Sequence, residues 1–235
     1  MNELCLLNTP PRLVALQQSI EREARCAITY YAFPGITIEA GSGFNPQGFF
    51  IVFKNTFRDI TLCHEMLHLE LLKDGYPIFE KRDPDQHHRA DYVYDAINNI
   101  CSIIQHKIIY KKMLSYGYDP YHDLIAKANA QFLHTFNSQS LPFIAQYLFD
   151  APLQLQSHYL RLLCEIPHTE AAASLGNELK RLSPKHFALA HETATHINAT
   201  IIESPAQALA ATQHALIAFG FTPDIAIPRY YTPAP

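Results

Sequence analysis

The sequence predicts an α+β fold: a few-stranded sheet with helices over residues 1–119, then an all-helical region over residues 120–235. Three observations lead there. Short runs of β-branched and aromatic residues, broken by proline and glycine, are confined to the first 55 positions. From Thr56 onward the patterning is helical. Prolines 142, 152, 167, 184 and 205 then punctuate the back half, each close to an expected helix start, where proline is tolerated.

Taken in order, Leu13 to Ala27 reads as a helix opening after Pro10-Pro11. "AITYYAF" and "GITIEA" read as strands separated by Pro34-Gly35, "GSGFNPQG" as a loop, and "FFIVFKN" as a short apolar strand. Residues 58–73 form a helix closed by Gly75 and Pro77. The polar stretch "FEKRDPDQHH" reads as a loop before a long helix at about 87–115, stopped by Gly117 and Pro120. Helices follow at about 121–136, 141–149, 153–164, 168–181, 184–201 and 205–219, and the tail "IPRYYTPAP" is extended.

Composition narrows the function classes. Apolar residues make up 48% and charged residues 17%, the balance of a globular chain able to bury a core. A net charge of −4, with no basic run, gives no electrostatic footprint for nucleic acid. Cys5, Cys26, Cys63, Cys101 and Cys164 are odd in number and scattered, with no C-x-x-C pair, so buried reduced thiols are expected. The start "MNELCLLNTPPRLV" lacks a signal-peptide pattern and no segment has the length of a membrane span, which makes the cytoplasm the expected location.

One stretch carries chemistry. "TLCHEMLHLELLKDG", residues 61–75, contains H-E-x-x-H. His64 and His68 are four apart, about 40° around a helix and one turn along it, so both imidazoles can reach one ion. Glu65 lies beside that face, placed to act on a metal-bound water without ligating. With 13 histidines in 235 residues, chance produces this pattern roughly 0.04 times per chain. Leu62, Cys63, Met66, Leu67, Leu69, Leu71 and Leu72 make the helix apolar nearly all round, so its ionisable groups need partners, which a metal supplies. The near-match "HETATH" fails the same test: His191 and His196 are five apart, about 140° around a helix, and diverge.

A catalytic zinc ion (Zn2+) usually takes three protein ligands and a water. Asp74 is a poor third ligand, because that arrangement needs a glycine to turn the chain back where Leu71 stands. The long helix offers Asp95 and His106 within a polar stripe of Asp91, Asp95, Asn98, Ser102 and His106. That stripe is either a solvent face or the wall of a polar site, where one group would ligate and others orient the histidines.

"GFFIVFKNTFRDITLCHEMLHLELL" resembles the ImmA/IrrE-type minimal zinc metallopeptidases, over residues 36–110. Arg58, Thr61, Leu62, His64, Glu65 and His68 match that family's strand, arginine and T-L-x-H-E-x-x-H helix. "DAINNICSII" from Asp95 is similar to its E-A-N-x-F-A segment, with aspartate for glutamate, and Leu67 stands where glycine is common. The resemblance implies a zincin-like domain over 1–119, with His64, His68 and Asp95 as metal ligands. In a more distant zinc-peptidase family His106 would be the third ligand.

The expected activity is hydrolysis of a peptide or protein substrate, with Glu65 as general base on a zinc-bound water. "FFIVFKN" is expected to form the cleft edge, and Tyr76, His87, His88 and Tyr94 are candidates to stabilise the oxyanion by position. The alternative is a non-catalytic zinc-binding regulatory or protein-interaction module, its partner surface on the helical region. Glu65 favours the enzyme, since a purely structural site has no use for a glutamate between the histidines.

Overall fold

A computed structural model describes residues 9–34, 40–54, 58–81, 90–126, 152–222 and 225–232. The α+β class expected from the sequence holds. In chain order the described elements are α1 (Pro11–Ala24), β1 (Ile28–Ala32), β2 (Ala40–Asn45), β3 (Gly48–Phe53), α2 (Asp59–Lys73), β4 (Ile78–Lys81), α3 (Ala90–Ser115), α4 (Pro152–Glu165), α5 (Glu170–Leu182), α6 (Pro184–Ala199), α7 (Pro205–Ala218) and β5 (Ala226–Arg229). A further helical turn begins at residues 120–126. The strand expected at "GITIEA" and the helix expected at 141–149 lie largely or wholly outside the described residues.

The chain divides into two compact units, each built from separate stretches of sequence. One comprises Met1–Pro77, Ile108–Tyr118 and Tyr230–Pro235, the other Ile78–Lys107 and Asp119–Arg229. The 26-residue α3, about 39 Å long, contributes its earlier part to the second unit and its last two turns to the first.

In the first unit the sheet has the order β1-β3-β2, β3 running parallel to β1 and antiparallel to β2. β3 is therefore central, with both edges of its backbone already paired. This corrects the expectation that "FFIVFKN" forms the cleft edge; the edge on the α2 side is β2. It also corrects the reading of "GSGFNPQG" as a loop. Two glycines weaken a strand by propensity, but Gly43 has a local reason: a Cβ there would lie 3.0 Å from the Phe50 ring. The Phe50 ring thus takes the space a side chain would need. The core joins Leu13, Leu16 and Ile20 of α1, Phe49, Ile51 and Phe53 of β3, and Leu62, Met66 and Leu69 of α2. Tyr231 packs on one end of this core, 4.2 Å from Phe49 and 5.8 Å from Phe44 by ring centroids, its hydroxyl donating to Ala24 O at 2.9 Å.

In the second unit, α4, α5 and α6 pack around Tyr159, Leu175, Leu179 and Ala190. Pro152, Pro184 and Pro205 stand at the first helical position, as the sequence suggested. α5 is capped by Thr169 and α7 by Ser204, each side chain accepting a backbone N–H. The reading of 79–88 as wholly loop is corrected at its start: β4 pairs antiparallel with β5 in the tail. Arg229 Nη1 reaches both carboxylate oxygens of Glu80, at 2.7 and 2.6 Å. The four described cysteines are free thiols, and burial pushes those of Cys63, Cys101 and Cys164 up to about 12. No described helix is long and apolar enough to cross a membrane.

Candidate metal centre

α2 is apolar on most of its circumference, with Leu62, Cys63, Met66, Leu67, Leu69, Leu71 and Leu72 all buried. Its start is set by the extended Arg58, with Asp59 in the first turn, and Lys73 lies in the last, both matching the helix dipole. On this helix the four-residue spacing of His64 and His68 does what helical geometry requires. Their Nε2 atoms face each other at 3.1 Å. Two nitrogens on one tetrahedral zinc, each about 2.0–2.1 Å from it, lie roughly 3.3 Å apart, so the pair is spaced as a chelate.

The C-terminal part of α3 packs beside α2 within the same unit. Tyr110 sits 6.2 Å from His64 by ring centroids, and Lys112 Nζ donates to Glu70 Oε2 at 2.6 Å. His106 is one turn before Tyr110 on that helix. His64, His68 and His106 each offer a ligand atom, and these atoms all lie within 4.8 Å of one another. Among the described residues this is the one group of three or more histidine, cysteine or acidic side chains so arranged.

Asp95, the third ligand implied by the family resemblance, is not in the group. It stands eleven residues before His106, about 16 Å along the helix, too far for the two to share an ion. His106, the sequence's other candidate, is the residue beside the α2 pair. Asp74 caps the C-terminus of α2 and pairs with Lys73 at 2.8 Å.

His106 is 2% exposed, and its Nδ1 lies 2.6 Å from Glu165 Oε1. Glu165, also buried, receives Arg161 Nε on its other oxygen at 3.0 Å. Burial works against the charge on Glu165, yet the Arg161 guanidinium and the His106 contact hold its carboxyl down at about 2. Burial likewise holds His106 below the ordinary histidine range despite the opposing pull of Glu165. A neutral ring donating Nδ1–H to an ionised carboxylate keeps Nε2 as a lone-pair donor, the form a metal takes.

Of the polar stripe on α3, His106 is buried while Asp95, Asn98 and Ser102 are partly exposed, and neighbouring polar residues of the helix are engaged as well. Asn99 donates to Ser157 Oγ at 3.1 Å, and Lys107 Nζ donates to the carbonyls of Ile197, Asn198 and Thr200, the last at 2.7 Å. Glu65 is buried, and Ser42 Oγ of β2 donates to its Oε2 at 2.7 Å.

Glu165, Arg161, Ser42 and Tyr110 were not singled out from sequence. A signal existed for the first two: an Arg–Glu pair at i, i+4 inside the apolar run "YLRLLCEI" implies a buried ion pair. The remaining candidates scatter. Tyr76 is buried beyond the end of α2, Tyr94 is half exposed on α3, and His87 and His88 lie outside the described residues. His191 meets Tyr159 Oη at 2.8 Å while His196 stacks on His214 at 3.7 Å, so the two diverge as their spacing requires.

Three imidazoles arranged in this way can hold a divalent metal ion, and their donor type suits zinc among others. Compared with protein-family models, with curated proteins and with solved structures, the chain matches none.

Proposed function

We propose that the protein is a zinc-dependent peptidase in which His64, His68 and His106 hold the ion and Glu65 is the general base. The observation that carries this reading is the three-histidine cluster, with an H-E-x-x-H glutamate beside it. When bound in such a site, zinc polarises a carbonyl and brings a coordinated water's pKa to about 7. The fit rests on donor chemistry: three nitrogen ligands leave one tetrahedral position open, the arrangement of catalytic sites.

Glu65 takes a proton from the attacking water and delivers it to the leaving amine. Its carboxylate is held toward β2 by Ser42, so a hydrogen bond links the base to the edge strand. Beyond β3, the outer edge of β2 has no strand partner among the described residues. An extended peptide added there would donate and accept backbone hydrogen bonds in sheet register, the mode of strand addition. The ImmA/IrrE-like features, from Arg58 to His68, agree with this reading, while the third ligand differs from the one that resemblance implied.

The test is Glu65→Gln, assayed on fluorescently labelled casein and a mixed peptide library. We expect zinc to be retained and hydrolysis to fall by at least about 100-fold, the lower end of the range for losing a general base. Normal cleavage by the variant would overturn the mechanism. A wild type that binds zinc and cleaves nothing would favour the non-catalytic zinc-binding module instead.

A further inference from the structure

The helical segment after residue 150 carries no H-E-x-x-H motif, yet it supplies a buried carboxylate to the third histidine. Glu165 ends α4 and is fixed at both oxygens: His106 Nδ1 at 2.6 Å on one, Arg161 Nε at 3.0 Å on the other. Side-chain exposure is 3% for His106 and 5% for Glu165, so water does not compete appreciably for this bond. The next residue, Lys107, is held as well, by three carbonyls at the C-terminal end of α6.

We infer that Glu165 is a positioning residue for the metal centre, orienting His106 so that its Nε2 is the ligating atom, with Arg161 fixing Glu165 in turn. The inference rests on the zinc reading proposed above.

An imidazole has two nitrogens, and the one already hydrogen-bonded decides which is left for a metal. A ring whose Nδ1 is committed to a carboxylate cannot turn to present that nitrogen without leaving a buried charge unpaired. Glu165 is not among the clustered donor residues, and its two oxygens are engaged on His106 and Arg161. Its contribution is orientation, together with greater electron donation from the ring to a bound cation.

The experiment measures zinc affinity of the full chain by competition with a chromophoric chelator, for wild type, Glu165→Gln and Arg161→Gln. The visible absorption of the cobalt-loaded forms is recorded beside it. Glu165→Gln keeps the side chain's volume and is expected to bind zinc about 10- to 100-fold more weakly, the usual effect of losing such a partner. Its cobalt spectrum shifts, a signature that a purely structural role would not alter. Arg161→Gln, at a partly exposed position, shifts affinity in the same direction by a smaller factor and serves if Glu165→Gln does not fold. Wild-type affinity and an unchanged cobalt spectrum in the folded variants would overturn the inference and leave the zinc reading standing. A wild type that binds no zinc would overturn both.

Discussion

Ser42 Oγ donates to Glu65 Oε2 at 2.7 Å, so a side-chain hydrogen bond joins the edge strand to the H-E-x-x-H helix. Ser42 sits between Gly41 and Gly43, where its hydroxyl reaches α2 without crowding from its neighbours in the strand. Ser42→Ala removes that bond and leaves Glu65 with a less fixed carboxylate. We expect metal content to be unchanged and turnover to fall about tenfold, while stability falls by about 1 kcal/mol, the net value of such a bond. Single-turnover rates beside chemical denaturation separate the two effects, and an unaltered rate would show that the hydroxyl only stabilises the fold.

The metal set is tested by content. His64→Ala, His68→Ala and His106→Ala are each expected to lose the ion on dialysis, because two imidazoles hold zinc far less firmly than three. Asp95→Ala is expected to keep about one zinc per chain. Atomic spectrometry of the four purified variants decides this, and loss in the Asp95 variant would restore the ligand set implied by the family resemblance.

Acid should destabilise the metal-free protein in two stages. Burial lowers the proton affinity of His106 in the folded state, so the unfolded chain binds that proton more readily. Glu165 is held at about 2, below its ordinary 4.5, so it too is more easily protonated when unfolded. For both groups stability therefore rises with pH. The His106 share begins to disappear below about pH 6.5. The Glu165 share is fully present above pH 4.5 and is lost as pH falls toward about 2. Together they predict a denaturation midpoint that declines steadily from about pH 6.5 downward, and a flat profile there would contradict the assigned protonation states.

Gly176 offers a test in the helical unit. Alanine is favoured over glycine in a helix by about 1 kcal/mol, yet a Cβ here would lie 2.4 Å from Tyr159 Oη and 2.8 Å from its Cζ. Tyr159 is buried, stacked on Phe187 at 5.7 Å and bonded to His191 at 2.8 Å, so it has little room to withdraw. The clash should win. Gly176→Ala is expected to lower stability by about 1–3 kcal/mol, and a rise in the thermal midpoint would show that the ring moves aside freely.

Much of this was legible in the sequence because it depends on local periodicity. The α2 boundaries follow from one apolar run and its glycine stop, and the spacing of His64 and His68 follows from helical rotation alone. Pro152, Pro184 and Pro205 marked three helix starts to within a residue. What could not be read depends on distant partners. β2 is a strand despite Gly41 and Gly43 because β3 pairs with it and Phe50 lies over one glycine. β4 exists because β5, far along the chain, supplies its hydrogen bonds. The choice between Asp95 and His106 could not be read because it depends on how α3 docks; the structure groups His106, and not Asp95, with the α2 histidines.

The pairing of β4 with β5 also has a consequence for the order in which the molecule can be made. Glu80 and Arg229, which bond across that ribbon, are separated by 149 positions. Tyr231, which covers Phe49 and Phe44, comes later still. During synthesis β4 emerges long before β5, and the three-stranded sheet long before Tyr231. Contacts of such long range are slow to form, so the nascent front segment must wait with its aromatic flank uncovered. A chain stopped before Ala226 would keep the three histidines yet leave β4 without its strand partner and Phe49 without Tyr231, and is expected to aggregate rather than mature.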